Sequence, residues 1–149
     1  MIDDNFEKEY DTCKEELHMF LFEIHAPPTP QKQTVLGRNR RCYDPSHMSK
    51  KFIQWQVQPH APKELLTGAI EMHLTFYMPV PKFTSGRIRS AMLSNQAKHV
   101  KRPDVDNLAY LVTNALKGIV YVDDSQICRM TLEKLYGETP KTVIKIIEV

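Results

Sequence analysis

Two aspartates and an amide stand together at Asp104, Asp106 and Asn107, within the run Arg-Pro-Asp-Val-Asp-Asn-Leu of residues 102–108. A single aspartate there would be ordinary, because an Asp accepts hydrogen bonds from the free N–H groups at a helix start and complements the helix dipole. Only one residue can be the cap, however, and two positions apart on a regular helix the side chains diverge. With Asp104 in an extended approach and Asp106 in the first turn, both carboxylates converge on one point. Converging carboxylates repel unless a cation joins them. Asp123 and Asp124 follow in Tyr-Val-Asp-Asp-Ser, residues 121–125, where the chain must return to the sheet soon after Gly118. A returning strand beside the helix start would bring Asp123 or Asp124 to the first pair. Three carboxylates with water completing an octahedron suit Mg²⁺ or Mn²⁺. The bland alternative is a polar turn, for which Asp-Asp-Ser is ordinary composition. The Tyr-x-Asp-Asp motif of reverse transcriptases is also spelled here, but 149 residues hardly accommodate a polymerase palm and fingers with a further upstream acid.

The charge is unevenly spread. Residues 1–17 hold seven acids against Lys8 and Lys14, so the rest of the chain carries +7 of a net +2. Between Glu71 and Asp104 there is no acid, but there are Lys82, Arg87, Arg89, Lys98, Lys101 and Arg102. A second group, Lys32, Arg38, Arg40, Arg41, Lys50 and Lys51, is relieved only by Asp44. Concentrated bases on a globular body suit a polyanion, since each phosphate neutralised releases condensed counterions. A solvated surface that keeps the protein soluble would look the same from charge alone.

Other classes are disfavoured. No apolar stretch approaches the roughly 20 residues that span a bilayer, so no membrane association is expected, and the acidic start has no apolar run to serve as a signal peptide. Cys13, Cys42 and Cys128 are scattered and form no C-x-x-C pair, which fits reduced thiols in a cytoplasmic protein. The six histidines show no paired ligand spacing, so zinc is not indicated.

The elements that must position the aspartates follow from periodicity. Residues 17–25 contain an apolar, β-favouring run that ends at Pro27-Pro28 and predicts a strand. Asp44 or Ser46 can cap a helix over residues 48–57. In residues 68–79, Ile70, Met72, Leu74 and Phe76 alternate as in a half-buried strand. Residues 79–103 form a long connection in which residues 90–97 could coil briefly, and a connection of that length is usually functional or mobile. Val105, Leu108, Leu111, Val112, Ala115 and Leu116 fall at helical spacing between Pro103 and Gly118, with Gly118 placed to end the helix. Strands are expected over residues 126–135 and 142–149, joined by a hairpin-like turn at 136–140. The order predicts one α+β domain, residues 17–149, with a mixed sheet carrying helices on one face, after an acidic extension of residues 1–16.

The ordered set Arg102-Pro-Asp-Val-Asp-Asn-Leu108, Ala115-Leu116 and Asp123-Asp124-Ser125-Gln126-Ile127 resembles the signature of RusA-type Holliday junction resolvases. Pro27-Pro28-Thr29-Pro30, Tyr43-Asp44-Pro45 and Tyr136-Gly137 agree with it, so the likeness runs from about residue 20 to the end. The resemblance implies a RusA-like fold, a homodimer, and metal-dependent incision of four-way DNA junctions during recombination and repair. Asp104, Asp106 and Asp124 match the family's catalytic aspartates, with Asp123 beside them as a further candidate metal ligand. On that reading Mg²⁺, or Mn²⁺, is the cofactor, and Lys82, Arg87, Arg89, Lys98, Lys101 and Arg102 grip the DNA backbone. Two positions depart from the pattern: Tyr110 stands where the family usually has Lys, and Asn114 where it usually has Asp. They set an alternative beside the first reading, a junction-binding protein that cleaves weakly or not at all. Lys117, Lys101 or Arg102 are the cations expected to compensate.

Overall fold

The computed structural model describes residues 18–149; the acidic extension proposed for residues 1–16 lies outside them. Among the described residues are six strands, β1 (Met19–Ile24), β2 (Val35–Leu36), β3 (Cys42–Tyr43), β4 (Ile70–Pro79), β5 (Ile127–Gly137) and β6 (Lys141–Glu148), and three helices, α1 (His47–Val57), α2 (Gly86–Leu93) and α3 (Val105–Leu116). This is the α+β class that the sequence leads one to expect.

The main sheet has the order β1-β6-β4-β5. β4 pairs antiparallel with β6 and parallel with β5, and β6 pairs antiparallel with β1, so the sheet is mixed. Ile70, Met72, Leu74, Phe76 and Met78 alternate along β4 and are all buried. They meet Ile144 and Ile146 of β6, Ile53 and Val57 of α1, and Leu108, Leu111, Val112, Ala115 and Leu116 of α3 in one core. Each fully buried side chain of this size contributes about 1.5–3 kcal/mol, so α3 is fixed to the sheet chiefly by its apolar stripe. Gly118 has φ +79° just past the end of α3, the conformation its position predicts.

The expected hairpin of the last two strands is not formed. β5 and β6 lie on opposite sides of β4, so residues 138–140 cross over the end of that strand instead of turning back along β5. The crossing leaves no room at Gly137, where a Cβ atom would stand 2.7 Å from Tyr77 Cβ. Periodicity gives strand positions and cannot give neighbours, which is why the connection looked like a hairpin.

Two further differences concern the basic segments. The loop before α1 holds a small ribbon, Val35–Leu36 against Cys42–Tyr43, with Arg38, Arg40 and Arg41 exposed at its turn. Within the long connection the helix is α2, starting four residues earlier than the brief coil expected from residue 90, and no residue of it is buried. At the start of α1, neither suggested side chain caps the helix: Ser46 is the cap residue without a capping bond, and its Oγ accepts from Lys32 N at 2.8 Å. Asp44 accepts from Ser46 N at 2.8 Å and pairs with Lys50, and that ammonium, with the Ser46 amide, holds its carboxyl below the usual value.

Candidate active site

Asp104 has the extended backbone of a cap residue, φ −71° and ψ 142°, yet its side chain accepts no capping hydrogen bond. A capping Asp typically contributes about 1 kcal/mol; here that contact is not made, and the exposed carboxylate has no hydrogen-bond partner among the described residues. Asp106, also exposed in the first turn, accepts among the described residues only from the neighbouring Asn107 N at 3.0 Å. The separation expected from the sequence, one carboxylate before the helix and one inside it, is therefore present.

The approach to Asp104 is tied down from β5. Lys134 donates from Nζ to the carbonyls of Lys101 at 2.7 Å and Pro103 at 2.9 Å, immediately before the aspartate. His99 packs on Tyr136 with ring centroids 4.8 Å apart, and its buried Nδ1 finds no partner among the described residues. Burial, then the charge of Lys134, pushes the His99 imidazole below its ordinary pKa. From the other side, Gln31 N donates to Asn107 O at 2.9 Å, and Gln31 Nε2 reaches Asp44 at 3.0 Å, linking the loop after β1 to the starts of α1 and α3.

Asp123 and Asp124 have different employments. Asp123 caps the short 3₁₀ turn Asp124–Gln126, accepting from Ser125 N at 3.1 Å in a capping box with Gln126, and it pairs with Lys117. Lys117, then the Ser125 contacts, holds its carboxyl far below the carboxylate range, and the same pair raises the pKa of Lys117. These contacts give Asp123 a structural role in the turn. Among the described residues Asp124 accepts one bond, from the Tyr121 hydroxyl at 3.1 Å, a proton Tyr121 shares with Thr113 O at 3.0 Å. Burial, then Asp124, drives the Tyr121 pKa well above its usual value, so the phenol stays a donor. Gln126 completes the brace with all four of its side-chain hydrogen bonds, to Leu66 O, Gly68 O, Val122 N and Asp123 N, at 2.8–2.9 Å. Neither Tyr121 nor Gln126 is marked for this role by the sequence, although both lie in the run Tyr-Val-Asp-Asp-Ser-Gln of residues 121–126.

Asp124 and the Thr113 carbonyl thus share the Tyr121 hydroxyl, and Thr113 lies seven residues, roughly 10 Å along the helix axis, from Asp106. The contact of β5 with the approach to Asp104 is made by Lys134, the eighth residue of that strand. Among the described residues no three His, Cys, Asp or Glu side chains are grouped so as to hold one metal ion. Asp104, Asp106 and Asp124 fit a hard divalent cation by donor type and free lone pairs; they are not gathered in this fold into a three-ligand cluster.

The basic residues are mostly available. Lys82, Arg87, Lys98, Lys101 and Arg102 are exposed, whereas Arg89 is partly engaged, 3.6 Å from Glu138. Tyr110 is 55% exposed one turn beyond Asp106. Lys117, expected as a compensating cation, is occupied by Asp123.

A scan against protein families matches residues 25–147 to the endodeoxyribonuclease RusA family. The chain belongs to the RusA endodeoxyribonuclease family. It is also similar to the uncharacterized protein YqaN of Bacillus subtilis (strain 168), 30% identical over 135 residues, which cover 86% of this chain and 95% of that protein. Membership makes the chain a DNA endonuclease of a family that acts on Holliday junctions. No helix among the described residues is long and apolar enough to cross a membrane.

Proposed function

We propose that this RusA-family chain resolves four-way DNA junctions by Mg²⁺- or Mn²⁺-dependent paired cleavage, as a cytoplasmic homodimer serving recombination and repair. The observation that carries the reading is Asp104: a cap residue whose carboxylate does not cap, held beside Asp106 at the end of a segment rich in bases and free of acids. Asp104, Asp106 and Asp124 would hold the ion or ions, which supply a more acidic water and offset charge on the phosphate. Lys82, Arg87, Lys98, Lys101 and Arg102 bind the backbone of the arms, giving affinity without base readout, and Arg89 joins them on leaving Glu138. Lys134 keeps Asp104 at the edge of the sheet. A two-fold dimer presents two such sites to a junction with equivalent arms. Residues 17–149 are the nuclease domain on this reading, with residues 1–16 as an acidic extension.

Tyr110 favours a second reading, a junction-binding protein with little or no cleavage. Nicking of a synthetic junction in Mg²⁺, beside a gel shift in Ca²⁺, separates the two: cutting supports the endonuclease, and a shift without cutting supports the binding protein.

A further inference from the structure

Phe83 is the most exposed large apolar side chain among the described residues, at 101%. It does not hang on slack chain. The turn Pro81-Lys82-Phe83-Thr84 is closed by Thr84 N and Thr84 Oγ1, which donate to Pro81 O at 3.3 and 2.8 Å. Pro79 and Pro81 stiffen the approach, so the ring stands at the tip of a built turn with Lys82 beside it. Exposed Arg87 and Ile88 follow on α2, and Val100, 86% exposed, lies between Lys98 and Lys101. A solvated surface accounts for the bases but not for a Phe, an Ile and a Val laid bare among them.

The turn is also at the right end of the molecule. β4 ends at Pro79, paired with Gly137, three residues along β5 from the Lys134 that holds the approach to Asp104. Three residues of strand cover about 10 Å, and the four from Pro79 to Phe83 reach at most about 14 Å.

We propose that Phe83 is the residue that reads the branch: its ring enters the break in base stacking where the arms of a DNA junction meet, while Lys82 and Arg87 hold the flanking phosphates. The inference rests on the junction-endonuclease reading and adds what selects a branch over a duplex. Apolar side chains wedge between base steps and partly unstack them. In continuous duplex that insertion must break a stack, whereas at a branch the stack is already interrupted, so the same contact is easier to make.

The test uses the full-length protein in Ca²⁺ with a four-way junction bearing 2-aminopurine at the branch point, and a linear duplex of the same sequence. Binding by the wild type should raise the fluorescence. Phe83→Ala should remove the rise and reduce the preference for junction over duplex roughly 5- to 100-fold, while Phe83→Trp retains both. A Phe83→Ala protein that keeps the rise and the preference overturns the inference and leaves the junction reading standing. Loss of self-association in sedimentation with unchanged fluorescence assigns the ring to contact with a second copy and overturns it as well. A wild type that binds junction and duplex alike removes the junction reading, and this inference with it.

Discussion

Lys134 Nζ lies 2.9 Å from the carbonyl oxygen of Pro103, so a cation from the edge strand holds the backbone one residue ahead of Asp104. The expected compensating cations were Lys117, Lys101 and Arg102, of which Lys117 is bound to Asp123. Nothing in the sequence marks Lys134, which is thirty residues from Asp104 and lies in an unremarkable alternating strand. Lys134→Met should lower single-turnover cleavage by up to about 100-fold, the scale of a slightly misplaced site, with junction affinity in Ca²⁺ nearly unchanged. Lys134→Arg should recover part of the rate. Tyr110→Lys should gain little if Lys134 already serves; a gain of orders of magnitude would mark the natural protein as a weakened enzyme.

The two adjacent aspartates should separate cleanly by variant. Asp123→Asn loses the partner of Lys117 and weakens the turn, so thermal unfolding should show a lower Tm while the folded protein still cleaves. The folded-state pKa of Asp123 is depressed, so its contribution is present above the unfolded value of 3.8 and disappears as pH falls through the lower, folded one. The difference in Tm between wild type and variant should therefore shrink only in strong acid. Loss of cleavage without loss of stability would place Asp123 in the metal site.

Much of this was legible in the sequence. The stripe from Val105 to Leu116 gives α3 because six apolar residues at that spacing have one way to be buried together, and the alternation along β4 is equally restrictive. The position of Asp104 was legible too, an extended entry with Asp106 in the first turn, but not that the cap residue would leave its capping bond unmade. Tertiary neighbours were not. The place of β6 between β1 and β4, the brace of Tyr121 and Gln126 around Asp124, and the reach of Lys134 are contacts between residues distant in sequence, and no local pattern encodes them.

Salt dependence checks the basic segment. Replacing Lys98, Lys101 and Arg102 together by Ala should flatten the slope of log affinity against log salt by about 3 units if each meets a phosphate. Arg89→Ala alone should change it less than Arg87→Ala, because Glu138 partly neutralises Arg89. An unchanged slope in the triple variant would make these residues ordinary solvated surface.

His99 gives the protein a sensitivity to mild acid. Its folded pKa lies below the ordinary 6.5 through burial and then Lys134. Below pH 6.5 the unfolded chain takes up a proton that the folded chain resists, so stability falls as pH drops from there through the folded value and then levels. Tm measured from pH 7.5 to 5.5 should fall more for wild type than for His99→Phe. Equal falls would show that the imidazole titrates as freely in the folded protein as outside it.

The central claim, that Asp104 and Asp124 serve chemistry and not only the ends of their helical turns, is tested most directly by single-turnover cleavage of a synthetic four-way junction in Mg²⁺. The wild type should cut at paired positions, and Asp104→Asn and Asp124→Asn should each lose at least about 100-fold in rate, more than the usual loss from a ligand's supporting contacts, while binding the junction in Ca²⁺ as tightly as the wild type or more so. Near-normal cleavage by both variants would contradict the account and move the active site elsewhere.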